Sequence, residues 1–451
     1  MTTQTIKTVY HLFPLGAIGN REVESLEEWI PQALRLGCNT LLLGPVWDCS
    51  AHGYDIRDYD KIHPNLGNKQ RLAAVLAKWK RAGFGILFDA VLNHCGRNFP
   101  PFVDLCKHKE QSMYKDWFKE IDFNGNTPCQ DGFSYMAWNG CYDLVTFNHA
   151  NPELRAYLFN AVRLWIEDFD IDGLRLDAAD VIDTSFLAEL ASFCKNKRPE
   201  FWLMGEMVHG DYRKLLQNAR LDSVTNYEMH KGFWSSCNDG NLFEIAWSME
   251  RQFGKQGVYR GSNLLQFLDN HDVMRIGSQL SNRAHLWPLH ILLFTVPGIP
   301  AIYYGSEVGW LGEKTRDSDQ ALRPALIPAN LAEGPYPELQ EFIAKLARIR
   351  ERTSFLTSDC VNNLKVCAQQ FAFAREDSAG NLGGIVAINL AAEKVMLPIV
   401  IPREQRHPGR HWVDLLDPSE SYCEGDDGFC IRMNPCFGCI LAPSASSEQL
   451  C

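Results

Sequence analysis

Long apolar runs are missing from this 451-residue chain. Its most apolar windows, Leu289–Leu293 and Ile299–Tyr304, are too short and too interrupted to span a bilayer. The opening MTTQTIKTVYHLFPLG has no basic stretch followed by an apolar one, so no export signal is read there. Basic blocks are missing too. Lys plus Arg total 44 against 55 Asp plus Glu, a formal charge of −11, which argues against nucleic acid or an anionic membrane as partner. There is no tandem repeat and no low-complexity tract. Three chemical signatures are also absent. Without Gly-x-Gly-x-x-Gly after the first strand-like run, an open dinucleotide-binding sheet is disfavoured. Without His-x-His or His-Glu-x-x-His, a histidine-rich metal hydrolase is disfavoured. Without Gly-x-Ser-x-Gly, so is a serine nucleophile on a strained elbow.

What is present is an ordinary globular composition, 46% hydrophobic and 22% charged, long enough for two to four domains. The fifteen cysteines are an odd number and, with no export signal, read as reduced thiols of a cytoplasmic protein rather than a disulfide framework.

Eight short β-rich runs recur along the chain: Thr8–Phe13, Thr40–Gly44, Gly85–Val91, Gly173–Asp177, Trp202–Glu206, Ser223–Tyr227, Leu264–Asn270 and Ile299–Tyr304. Helical patterns fall between them, among them Leu26–Arg35, Leu154–Phe169 and Phe186–Cys194. Continuously apolar strands alternating with helices predict parallel strands buried on both faces, and eight such units is the count that closes a (β/α)8 barrel. Residues 95–150, rich in aromatics, Gly and Asn, are too long for a structureless loop and predict an inserted lobe after the third strand. Tyr336–Arg350 reads as a last helix, beyond which the helical period gives way to alternating runs separated by Gly, Pro and Asp. The expected organisation is a catalytic barrel over 1–355 and a C-terminal antiparallel β-sandwich over 356–451.

In parallel barrels, chemistry sits at the C-terminal ends of the strands. Those ends carry Asp89, Asn93 and His94 after strand 3, Arg175, Asp177 and Asp180 on strand 4, Glu206 on strand 5, and Asp269, His271 and Asp272 on strand 7, with Tyr54 after strand 2. Paired carboxylates are what a retaining glycosidase needs, one as nucleophile and one as acid then base, about 5–5.5 Å apart. An arginine beside the nucleophile keeps it ionised. Histidines can donate hydrogen bonds to sugar hydroxyls.

Four segments in order, DAVLNH, GLRLDAAD, GEMV and FLDNHD, with HGYDIRDYDKIHPNLG after strand 2 and PGIPAIYYGSEVG at strand 8, resemble the signature segments of the α-amylase family of glycoside hydrolases. The resemblance runs from about Val9 to the C-terminus. It implies Asp177 as nucleophile, Glu206 as general acid/base and Asp272 as a third carboxylate on the reacting sugar. It implies Arg175 as the nucleophile's partner, His94 and His271 as sugar-binding histidines, and Tyr54 as the stacking aromatic. Asp319 and Arg323, in SDQALRP, resemble a pair that binds the next sugar toward the non-reducing end. Asp269 is compatible with the family's acidic residue ahead of the third histidine–aspartate pair.

Two departures stand out. Ala179-Asp180 replaces the Lys-His of many extracellular amylases, whose histidine carbonyl serves calcium. The resemblance therefore implies no required cofactor and leaves only a weak structural calcium open. The extra N-terminal β-domain of cyclodextrin-hydrolysing relatives is expected to be missing, since the first strand-like run opens at Thr8. The implied activity is hydrolysis of maltodextrins or related α-glucan oligosaccharides. The alternatives are a 4-α-glucanotransferase using the same residues, or a non-catalytic relative, which would have lost the three carboxylates. Asp89 and Asn93 are expected to support the rim. Tyr135 and Trp138 are sugar platforms or lobe core. Cys436-Phe-Gly-Cys439, with Cys423 and Cys430, has the look of a zinc site but fits the last strand-turn-strand of the family's C-terminal domain.

Overall fold

The computed structural model describes residues 6–315, 318–377 and 379–444. They divide into two compact units. The first comprises the chain up to Ala33, Asn39–Thr225 and Arg323–Pro328; the second comprises Leu34–Cys38, Asn226–Leu322 and the chain from Ala329 on.

The first unit holds six parallel strands: β1 (Val9–Leu12), β2 (Thr40–Leu43), β3 (Gly85–Ala90), β4 (Gly173–Leu176), β5 (Trp202–Gly205) and β6 (Ser223–Val224), ordered β6-β5-β4-β3-β2-β1. β1, β2 and β4 are buried at every position, as apolar strands covered on both faces must be. Register places Thr40 beside Gly85, Leu87 beside Gly173, and Asp89 beside Arg175. Gly173 is required by packing: a Cβ there would lie 2.2 Å from the Trp202 carbonyl oxygen.

Helices follow the strands where the sequence places them. Leu26–Arg35 resolves into a 3-10 turn, Val23–Glu28, and the helix α1 (Trp29–Arg35). α2 (Lys69–Arg81) is capped by Asn68, which accepts from Arg71 N–H. α3 (Pro152–Phe169) starts at Asn151, whose side chain accepts from Glu153 and Leu154 N–H, with Pro152 at N1. It buries Leu158, Val162, Trp165 and Phe169, and Trp165 stacks on Trp47 at 4.6 Å. α4 (Thr184–Lys197) is capped by Asp183.

The inserted lobe is a small antiparallel sheet of His94–Gly96, Cys141–Thr146 and Ala137–Trp138 around an aromatic core. Tyr135 belongs to that core. It is 5% exposed, packs 5.1 Å from Phe102, and donates to the Tyr142 carbonyl while Arg97 donates to its hydroxyl.

In the second unit, β7 (Leu265–Phe267) and β8 (Ile299–Tyr303) pair in parallel. Eight parallel strands alternating with helices make the (β/α)8 barrel that the sequence predicts. α5 (Tyr227–Asn238) is capped by Asn226, whose own N–H donates to the Leu265 carbonyl of β7. α6 (Phe243–Phe253), α7 (Leu286–Thr295) and α8 (Leu339–Arg352) follow.

The antiparallel expectation for the C-terminal region is met by two sheets. One is ordered β9 (Val361–Val366), β10 (Gln370–Glu376), β11 (Leu382–Asn389), β16 (Phe437–Pro443), β13 (His411–Asp414), β14 (Ser421–Cys423). The other pairs β12 (Val395–Val400) with β15 (Gly428–Met433). Their core includes Ile385, Leu397, Ile399, Trp412, Ile431, Met433 and Leu441.

Two buried arginines brace the end of α7. Arg350 donates to the carbonyls of Phe294 (2.8 Å) and Gly298 (2.6 Å), and Arg375 donates to that of Thr295. Cations are favoured where a helix leaves its last carbonyls unpaired.

None of the fourteen described cysteines forms a disulfide; Cys451 lies outside the described residues. No group of three or more His, Cys, Asp or Glu among the described residues could hold a metal ion. Cys439 faces the β-core, whereas Cys423 and Cys430 are exposed. No helix among the described residues is long and apolar enough to cross a membrane.

Candidate functional site

The chemistry of the first unit's rim is organised by one guanidinium. Arg175 and Asp177 are two residues apart on β4 and its exit, so they share a side of the strand. Register brings Asp89 of β3 level with Arg175. The Arg175 Nη1 donates to Asp89 Oδ1 at 2.7 Å and to Asp177 Oδ1 at 2.8 Å, while Nη2 lies 2.7 Å from Glu206 Oε1. All four side chains are buried, and Arg175 is 3% exposed. Burial works to lower the Arg175 pKa, but the charges of Asp89, Glu206 and Asp177 outweigh it and hold the pKa well above the ordinary value. The guanidinium is therefore a permanent positive charge among three carboxylates.

Backbone geometry aligns the second carboxylate. Ala178, just after Asp177, takes a left-handed φ of 47° that a residue with a Cβ adopts only when its surroundings impose it. Its N–H donates to Glu206 Oε2 at 2.9 Å. The Glu206 N–H in turn donates to the Leu176 carbonyl at 2.9 Å, continuing the β4–β5 ladder to the rim.

Tyr54 donates its hydroxyl to Asp89 Oδ2 at 2.8 Å, so Asp89 ties the arginine to the aromatic. That is the supporting role expected of Asp89. The Arg323 guanidinium lies 5.4 Å from the Tyr54 ring centre and 4.9 Å from that of Phe13. His94 is 1% exposed, its Nδ1 accepts from Asn93 Nδ2 at 3.2 Å, and its ring sits 5.5 Å from Trp138. Trp138 is half-buried and so stands at the rim rather than in the lobe core. Burial, with a smaller push from His52, lowers the His94 pKa to about 3.

The second unit contributes its own cluster past β7. His271 is 1% exposed, and its Nε2 lies 2.8 Å from Asp272 Oδ2. Asp269 accepts from Ser306 Oγ at 2.5 Å and from Ile276 N–H at 2.8 Å; its burial raises its pKa against those bonds. Asp319 is half-buried at the start of a 3-10 turn, and its carbonyl accepts from Leu322 N–H. Of the nine sequence-predicted residues, Tyr54, His94, Arg175, Asp177, Glu206 and Arg323 belong to the first unit, and His271, Asp272 and Asp319 to the second.

Sequence reading missed Ala178, whose positive φ leaves no mark in residue type, and Tyr227, which accepts from Asn270 Nδ2 at 3.1 Å. A tyrosine at the mouth of a helix carries no signal until its neighbour is known.

The buried histidines couple the stability of the fold to pH. Burial lowers His94 to about 3 and His149, His230 and His290 each to about 4. In the unfolded chain they titrate near ~6.5. Their contribution is therefore complete above that value and is lost as pH falls toward 4, at roughly 1.4 kcal/mol per group per pH unit. Asp414, raised by burial to about 6, has the opposite sign: its contribution is complete below its unfolded pKa and is lost as pH rises through 6. Asp180, Asp269 and Glu424 are raised by burial in the same sense as Asp414, and His63 and His285 are lowered like the other four, so six histidines against four acids leave a net loss. The urea midpoint should fall steadily from pH 7 to pH 5; a flat or rising midpoint would contradict these assignments.

Residues 30–356 match the family model for the catalytic domain of alpha-amylase. A cyclomaltodextrinase of Geobacillus thermopakistaniensis is 30% identical over 424 residues, covering 90% of this chain and 67% of the relative. Neopullulanase 2 of Thermoactinomyces vulgaris is 29% identical, covering 93% of this chain and 70% of its own length. A debranching enzyme from Nostoc punctiforme superposes with a TM-score of 0.80 at 24% identity, covering 98% of this chain and all of that one, a likeness of fold. The chain spans between 50% and 70% of the curated relatives it matches.

Proposed function

The chain belongs to the α-amylase family of glycoside hydrolases, and from that premise we propose that it is an enzyme cleaving α-glucosidic bonds of maltodextrins or related α-glucan oligosaccharides through a covalent glucosyl-Asp177 intermediate. The observation that carries the reading is the shared guanidinium, with Asp177 and Glu206 each within 2.8 Å of Arg175. Double displacement needs the two carboxyls about 5–5.5 Å apart, and a guanidinium shared between them supports that arrangement by keeping them side by side.

Asp177 attacks the anomeric carbon while Glu206 protonates the departing glycosidic oxygen. The Arg175 charge keeps Asp177 an anion, which is what a nucleophile must be. Glu206, now a carboxylate, then takes a proton from the incoming water, which opens the glucosyl ester and regenerates Asp177. Asp272 and His271 hold the hydroxyls of the reacting sugar, and Asp272 adds negative charge beside the oxocarbenium-like transition state. His94 hydrogen-bonds that sugar and Tyr54 stacks on it, with Asp319 and Arg323 on the next unit toward the non-reducing end. A sugar hydroxyl in place of water makes the same machinery a glucanotransferase.

The catalytic part is the barrel over 1–355 with its lobe over 95–150, and the β-domain over 356–451 carries no residue of the reaction. No metal takes part in this scheme, and a calcium ion, if bound, is structural. The fourteen thiols free of disulfides suit the cytoplasm.

The deciding experiment supplies maltose, maltotriose, cyclodextrin, pullulan and isomaltose separately and identifies the products. Glucose and maltose from the α-1,4-linked substrates support the reading. Longer oligosaccharides appearing first would point to transfer, and inertness toward every α-glucan would overturn the proposal.

A further inference from the structure

We propose that Tyr227, outside every signature segment of the sequence, is a positioning residue for Asp272 and acts through Asn270; this rests on the reading of Asp272 as the third carboxylate. The chain leaving β7 must reverse to present His271 and Asp272. Asn270 makes that turn. Its Oδ1 accepts from the backbone N–H of Asp272 at 2.8 Å and from that of Val273 at 3.2 Å, an Asx-turn that sets the Asp272 backbone. A carboxamide makes such a turn firmly only if its other end is also held. The Asn270 Nδ2 donates to the Tyr227 hydroxyl at 3.1 Å.

Tyr227 is itself well anchored. It opens α5, whose cap Asn226 is bonded through its N–H to the Leu265 carbonyl of β7. Its ring meets Phe267 edge-on at 5.0 Å. One turn further, His230 stacks on the same Phe267 at 4.9 Å and 11°. The first turn of α5 thus grips β7 at Leu265 and Phe267 and reaches beyond the strand end to Asn270. The Asp272 carboxylate, meanwhile, rests on His271 Nε2 at 2.8 Å. The backbone of Asp272 is held through Asn270, which Tyr227 grips, and its carboxylate rests against His271. The role fits the need to hold reacting groups within a fraction of an ångström.

Tyr227→Phe removes the hydroxyl and leaves the ring on Phe267. With maltotriose, kcat should fall about tenfold with KM changed less than about twofold, because the tether orients Asp272 in the transition state rather than holding ground-state sugar. The thermal midpoint should stay at the wild-type value. Asn270→Ala removes the turn and should cost more than Tyr227→Phe, and adding Tyr227→Phe to it should cost nothing further. A wild-type kcat in Tyr227→Phe overturns the proposal. So does a loss that multiplies in full with that of Asn270→Ala, and so does a loss confined to KM. Asp272→Asn, measured alongside, separates the two levels. If it keeps wild-type turnover, the reading of the site fails. If it is crippled while Tyr227→Phe is not, only the tether fails.

Discussion

Asp177→Asn should cut maltotriose turnover by several orders of magnitude, because no covalent intermediate can form without the carboxylate. Glu206→Gln should be equally damaging with maltotriose, since the leaving alkoxide then departs unprotonated. The two separate on a donor with an activated leaving group. α-Maltosyl fluoride needs little acid help, so Glu206→Gln should process its first step far better than it processes maltotriose. Asp177→Asn should gain nothing from the fluoride. Asp272→Asn should be severe with both donors, because it acts on the sugar ring and not on the leaving group. The ratio of fluoride to maltotriose rates in each variant is the discriminating quantity. If fluoride rescued Asp177→Asn or Asp272→Asn but not Glu206→Gln, the roles would be wrongly distributed even with the family unchanged.

Arg175→Met should unfold more easily as well as lose activity. The wild-type guanidinium, 3% exposed, contacts Asp89, Asp177 and Glu206. Removing it leaves three buried carboxylates without their cation, a change that costs about 3–5 kcal/mol when a buried ion pair is broken. Part of that cost is avoided if the carboxyls take up protons, so the deficit should be largest at high pH and shrink as pH falls. Proton uptake at Asp177 would itself abolish the nucleophile. Arg175→Lys should not rescue, since a single ammonium cannot supply separate nitrogens to Asp177 and Glu206. Urea unfolding at pH 6 and pH 9, with kcat measured alongside, checks this. A variant as stable as wild type would mean that the cluster is solvated and the arginine dispensable.

The barrel strands were legible because parallel strands are apolar on both faces, and the rim residues because polar groups stand where those apolar runs end. The Asp89–Arg175 contact was foreseeable as support but not as register; only the pairing of β3 with β4 puts the two level. β9 (Val361–Val366) was not seen, since VNNLKV has neither strict alternation nor a continuous apolar run and is stabilised by its ladder to β10. Nothing in the local sequence marks Arg350 or Arg375 as buried. They are buried because carbonyls at the end of α7 satisfy them, a long-range pairing that leaves no local pattern. Trp138 and Tyr135 were ambiguous for the same reason. Aromatic content marked the lobe, but only the Arg97 contact and burial settle Tyr135 into its core.

The central claim, double displacement through Asp177, has a direct readout in the configuration of the first product. Proton NMR during the first minutes of maltotriose hydrolysis, before mutarotation scrambles the signal, reports which anomer is released. Double displacement should release the α-anomer first, its resonance leading and the β-signal growing only as mutarotation proceeds. Initial release of the β-anomer would mean a single displacement by water, and the covalent glucosyl-Asp177 intermediate would have to be abandoned.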